Sequence, residues 1–404
     1  MHRILRIKFD EFFLGIILLT VPFSNDFNSK IIIISVLFFL YKNVKNNSWQ
    51  NLKFFWISFM LFGVQFLSFL NSSNFYEASK KMVLFIPFIA FPFLFSSLFE
   101  KKVNIYIIFS FLLYGSLLII LYAWAGVLYE VFVLNQKFDY GRGLALFLKY
   151  APHHVYLSIF ILITIYSNIK GVAKYNLREA NLFVIPILYF MIFFLGSRLG
   201  VLIAILLLPY LLYRELKKRY SKNIIKRVFV LFLMITILGF FNKFTREKVL
   251  FTFYEIVDIS TVDKFTNKKP FDGVGFRAAI WKSSVQAIKE SPFFGYGIGD
   301  AQYVLNSKYS NNSTYDVIGM NSHNQYLQFM VYYGVILFLI IMASLFYIIK
   351  RIIKIKDLFL FYVWFVLLSF CFTESILNRQ WGVVLFAFCL NISIYKLYEN
   401  QIPN

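Results

Sequence analysis

The chain has 404 residues, of which 59% are hydrophobic, 21% aromatic and only 15% charged. That balance excludes an ordinary soluble domain and points to a polytopic membrane protein. The formal net charge of +21 does not argue for nucleic acid, because most basic residues fall in short connections between apolar runs, where they set orientation. Both cysteines, Cys371 and Cys389, lie inside apolar runs, so neither a disulfide framework nor a paired-cysteine metal site is available.

Apolar runs predict about twelve membrane-spanning helices. They lie near residues 9–24, 29–41, 54–70, 82–99, 103–128, 153–167, 180–195, 198–213, 228–243, 324–349, 358–376 and 380–397. The first run has no small-residue cleavage site and is followed at once by another, so it reads as a retained helix rather than a signal peptide. Lys and Arg then set the orientation. With Arg3, Arg6 and Lys8 on the cytoplasmic side, the inner connections carry Lys42, Lys45 and Lys53, then Lys101 and Lys102, then Lys170, Lys174 and Arg178. The basic run within 214–227 and the group Lys350, Arg351, Lys354 and Lys356 follow. Connections on the other side, such as 25–29 and 375–380, hold one basic residue or none, so a frame with both termini inside satisfies the positive-inside rule. The expected fold is all-α and polytopic: a transmembrane block over 1–243, a long outer segment over 244–322, and a closing transmembrane block over 323–404.

Two outer connections are long, 129–152 and 244–322, and connections of that length usually carry function. In the second, Phe276, Ile280, Val285 and Ile288 recur at helical spacing, with the turn dipeptide Asp272-Gly273 before them and Pro292 after. The pattern predicts an amphipathic helix over 276–290. Beyond Gly299 about twenty residues read as polar loop. The glycines at 295, 297 and 299 lack the preceding strand and the helix opening of a dinucleotide fingerprint, and instead let the loop turn back beneath the amphipathic helix. Ser322 reads as the N-cap of the next span, which puts His323 at its mouth.

Five stretches carry a resemblance. They are Ser197-Arg198 opening a span, Arg277 with Trp281, Pro292-x-x-Gly295-x-Gly297, His323-Asn324-x-Tyr326-Leu327 with Gly334, and Glu374-Ser375-x-x-x-Arg379-Gln380-x-Gly382. Their order and placement, from residue 180 onward, resemble the O-antigen ligase and polymerase family of bacterial envelope glycosyltransferases. The resemblance implies a twelve-span relative of the C-type glycosyltransferase fold in the inner membrane. It implies transfer of a glycan from an undecaprenyl diphosphate carrier to an acceptor on the periplasmic face, without a metal or other cofactor. An O-antigen ligase acting on a lipid A core sugar is the expected activity. A polymerase extending a lipid-linked glycan and a protein-directed transferase are the alternatives within the same chemistry.

The same resemblance makes Arg198 and Arg277 the diphosphate ligands, a task that suits a permanently charged, bidentate guanidinium. Arg198 begins a span, where free N–H groups add to an anion site. His323 is the candidate base for the acceptor hydroxyl, since a neutral imidazole accepts a proton near neutral pH. Secondary candidates are His153 and His154 at the mouth of the sixth span, Arg142 in Gly141-Arg142-Gly143, and the pair Glu374 and Arg379. The last two read first as an ion pair fixing the final hairpin, and second as a lining for the acceptor entrance. No D-x-D, H-E-x-x-H or P-loop pattern occurs, which disfavours metal-assisted use of a nucleotide sugar. A lipid-linked sugar transporter is the rival class, but the paired broken spans and mid-bilayer charges it calls for are not evident.

Overall fold

The structure is a computed structural model that describes residues 7–99, 102–137, 140–175, 180–241, 246, 274–312 and 317–399. Helices account for its regular structure, and no strand occurs among the described residues. Nine described helices are long and apolar enough to cross a membrane, and Leu182–Leu195 and Leu358–Cys371 are shorter apolar helices. All eleven fall on expected spans. The segment expected first, 9–24, holds a helix over Phe9–Thr20, twelve residues long. At ~1.5 Å per residue it is shorter than the ~30 Å hydrocarbon layer.

The chain divides into two compact units, one of Met1–Tyr41 with Glu100–Lys248, the other of Lys42–Phe99 with Val249–Asn404. In the first unit the His154–Tyr175 helix is the most enclosed. Leu157, Phe160, Ile161, Leu162 and Ile165 are fully buried, and so are Ser158, Thr164, Ser167 and Asn168. Those polar side chains bond back to carbonyls of their own helix: Ser158 to His154, Thr164 to Ile161, Ser167 and Asn168 to Thr164. An apolar surround therefore holds polar residues without leaving their donors unmatched. The long connection over 129–152 contains the helix Tyr140–Tyr150. That helix is fastened through Lys149 and Tyr150, which both donate to Glu130 Oε1.

The second unit carries most of the long connection. The expected amphipathic helix is present as Val274–Glu290. Its buried face runs through Phe276, Ile280, Ser284 and Ala287, whereas Val285, expected on that face, is exposed. A second helix, Gly297–Asn312, stands where a polar loop was expected, so the glycines do open a helix after all. Its buried stripe is Ile298, Ala301, Leu305 and Tyr309. Lys308 and Glu290 form an ion pair that ties the two helices, and the Lys308 ammonium holds the Glu290 carboxyl below the usual carboxylate range. That contribution is present above the ordinary carboxylate pKa and fades as pH falls through the lowered one; it is small, since the pair is exposed and screened.

The Gly297–Asn312 helix is clamped to the turn before Phe75–Leu84. Asp300 accepts from the backbone N–H groups of Ser73 and Asn74, Ser72 Oγ accepts from Gly299 N at 2.9 Å, and Asn74 caps the helix by accepting from Glu77 N. Asp300→Ala removes both acceptors at a helix N-terminus. We expect it to lower stability by about 1–2 kcal/mol, read as a drop in thermal midpoint in detergent. Asp300→Asn is expected to lose less.

Candidate functional site

His323 is positioned by contacts that reach it from three directions. Asn324 caps the Gln325–Lys354 helix, its side chain accepting from Tyr326 N and Leu327 N. The cap therefore sits two residues beyond the expected Ser322, and His323 lies just outside the helix. Asn321 Oδ1 accepts from His323 N at 2.8 Å, and Gln328 Oε1 accepts from Ser322 N at 2.8 Å. From the Val274–Glu290 helix, Ser284 Oγ shares a hydrogen bond with Ser322 Oγ at 3.1 Å, and the Phe276 ring stands edge-on to the imidazole at 6.3 Å. These restraints hold His323 at φ +42°, a left-handed backbone that costs a non-glycine residue about 1–3 kcal/mol and tends to persist where function needs it.

The imidazole meets a carboxylate. His323 Nδ1 lies 3.2 Å from Glu374 Oε2 across 51 residues of sequence. The Glu374 side chain is 7% exposed, against 21% for His323. Glu374 Oε1 accepts from Ser375 N at 3.2 Å, which fixes the carboxylate on the turn that precedes Ile376–Asn378. The pairing expected between Glu374 and Arg379 is thus corrected: Glu374 pairs with His323, and Arg379 is exposed. The Arg379 side chain is exposed, so water can solvate its charge without the Glu374 carboxylate. With an ionised carboxylate on Nδ1, the proton of neutral His323 sits there and Nε2 keeps its lone pair. The arrangement is that of a general base with an orienting acid.

Arg277 follows Phe276 on the helix that touches His323. It is half-buried, and no hydrogen bond or ion pair engages it among the described residues. Its guanidinium is thus a permanent positive charge left for an anion. In the first unit, Ser197 caps the Arg198–Leu206 helix by accepting from Gly200 N at 3.3 Å, so Arg198 opens that helix as expected. Gly200 approaches Ser158 so closely that an added Cβ would lie 3.3 Å from the Ser158 Cβ. Ser158 in turn donates to the His154 carbonyl. The first turn of the Arg198 helix therefore packs beside the first turn of the helix that His154 opens. The His153 and His154 rings lie 4.2 Å apart. Arg142 falls on the Tyr140–Tyr150 helix, with its side chain outside the described residues.

Two residues that sequence reasoning left unassigned matter locally. Gln328, fully buried, orders Ser322, and Asn324 is the cap. Asn324 was findable, since Asn directly before an apolar run is an N-cap signal as strong as Ser.

A family model described as O-antigen ligase matches residues 182–342. No curated protein matches the chain. The matched stretch begins before the Arg198 helix and ends beyond Gly334, taking in Arg277 and His323 and leaving Glu374 outside it. On that match, residues 182–342 of this many-helix membrane protein are similar to the O-antigen ligase family.

Proposed function

We propose that the protein transfers a completed glycan from undecaprenyl diphosphate to a sugar of the lipid A core, on the periplasmic side of the inner membrane. The single observation that carries the reading is the His323–Glu374 pair at 3.2 Å, because it supplies an oriented base on the stretch that the helix bearing Arg277 touches through Phe276 and Ser284. The acceptor hydroxyl attacks the anomeric carbon, and its proton passes to His323 Nε2. The bond from that carbon to the diphosphate oxygen breaks, and the electron pair leaves with undecaprenyl diphosphate. Arg277 neutralises the departing charge, which a leaving group of this kind needs more than a proton. A single displacement of this sort inverts the anomeric centre. Glu374 stabilises the imidazolium as it forms and holds the ring in the productive tautomer.

The test is transfer by the purified protein in detergent, with an undecaprenyl diphosphate glycan and a lipid A core acceptor. Product is expected without a sealed membrane, which a transporter would require. A product only when the acceptor is a second lipid-linked glycan would replace the ligase reading by the polymerase one. No product with any acceptor would end it.

A further inference from the structure

Beside the His323–Glu374 pair lie two polar atoms that the fold does not use. Gln325 follows His323 by two residues and Ser375 follows Glu374 directly, and both side chains are 1% exposed. Gln325 Oε1 accepts from Leu377 N at 2.8 Å, so the amide is fixed and its Nε2 is the end left over. Among the described residues neither Gln325 Nε2 nor Ser375 Oγ has a hydrogen-bond partner. Other buried serines of the same unit divide: Ser72, Ser284 and Ser344 each donate to the carbonyl four residues earlier, whereas Ser283 on the Val274–Glu290 helix is also without a partner among the described residues. Polar atoms buried without partners are rare and call for a reason.

Four residues of two stretches are thus interlocked. His323 meets Glu374, and Gln325 meets Leu377, so the amide N–H and the serine hydroxyl belong to the same two joined stretches as the base and its carboxylate. The chemistry selects a class of ligand. One atom can only donate, and the other can donate or accept, which matches hydroxyl groups. An anion is disfavoured, because the nearly buried Glu374 carboxylate is held against Ser375. The donor diphosphate therefore belongs elsewhere, and a neutral polyol belongs here. Its place beside the base makes it the sugar whose hydroxyl loses a proton.

We infer that Gln325 and Ser375 form a subsite for the acceptor sugar, binding hydroxyls next to the one that reacts. The inference rests on the transfer reading above and deepens it.

The experiment measures donor and acceptor kinetics separately for Ser375→Ala in the detergent assay. Loss of one such hydrogen bond is expected to raise the acceptor KM roughly three- to tenfold, with donor KM and kcat held. One of a set of monodeoxy acceptors should show the same loss with the unaltered protein, and no further loss with Ser375→Ala. An unchanged acceptor KM overturns the subsite, as does a rise in donor KM instead. A lowered thermal midpoint with normal kinetics also overturns it, since that marks a structural hydroxyl. If Ser375→Ala does not assemble, Gln325→Glu keeps an oxygen for the Leu377 amide, deletes the N–H donor, and should raise acceptor KM in the same way. A dead His323 variant with normal Ser375→Ala kinetics removes only the subsite, whereas an active His323 variant removes the transfer reading itself.

Discussion

Replacing His323 by asparagine is expected to reduce transfer by about 10²–10⁴-fold, with the protein still made and folded. Asparagine is the informative choice because His323 sits at φ +42°, and Asn tolerates that backbone better than Ala does. Loss of activity then reports the imidazole rather than the loop. Glu374→Gln is the partner experiment. It keeps the side-chain size and an oxygen for Ser375 N, but it offers an amide to His323 Nδ1. The amide N–H turns that nitrogen into an acceptor and moves the ring proton to Nε2, where the base is needed. A loss of about 10²-fold or more is expected on the precedent of the triad carboxylate. The two substitutions together should cost little more than the worse one, since they disable one device. Single-turnover transfer with saturating donor is the measurement. A His323→Asn protein with full activity would remove the histidine from the chemistry. An active Glu374→Gln protein would reduce the carboxylate to a support.

Legibility in the sequence followed the range of the interaction. Apolar runs were readable because burial in lipid or in a helix bundle needs nothing from distant sequence. Helix Val274–Glu290 was readable because its stop, Pro292, is local. Gly297–Asn312 was not, although Ile298, Ala301, Leu305 and Tyr309 have helical spacing. Asn, Ser and Gly dilute its propensity, and what holds it is docking: Asp300 on the turn before Phe75, and Lys308 on Glu290. His323 and Glu374 were each singled out, yet their pairing spans 51 residues and leaves no periodic or local trace. Other contacts in the second unit are likewise distant in sequence. Asp300 meets Ser73 and Asn74, and Tyr332 donates to Asn378 at 3.1 Å.

Gly334→Ala is expected to destabilise the second unit by about 3–5 kcal/mol, as the sum of a forbidden backbone, a clash and two lost hydrogen bonds. Gly334 interrupts the Gln325–Lys354 helix at φ 66°, ψ −177°, a conformation that only glycine adopts without strain. The turn after Pro292 fills the break. Tyr296 N donates to the Val331 carbonyl at 3.0 Å, and Val335 N donates to the Pro292 carbonyl at 2.7 Å. Backbone groups freed by the interruption thus find partners in the turn, which is how a span tolerates a break. A Cβ on Gly334 would stand 2.2 Å from the carbonyl carbon and oxygen of Phe293, backbone atoms that cannot swing aside. Gly295 answers it from the other side, where a Cβ would lie 2.7 Å from Gly334 N. The crossing matters to function because the turn joins the helix bearing Arg277 to the span that His323 precedes. Gly319→Ala is the control. Its φ is +82°, but nothing lies within 4 Å of its added Cβ, so it should cost only the left-handed penalty of about 1–2 kcal/mol. Thermal midpoints in detergent compare the two. A Gly334→Ala protein no less stable than Gly319→Ala would mean that the turn and the span are not locked together, and that Arg277 is held in register with His323 by something other than this crossing.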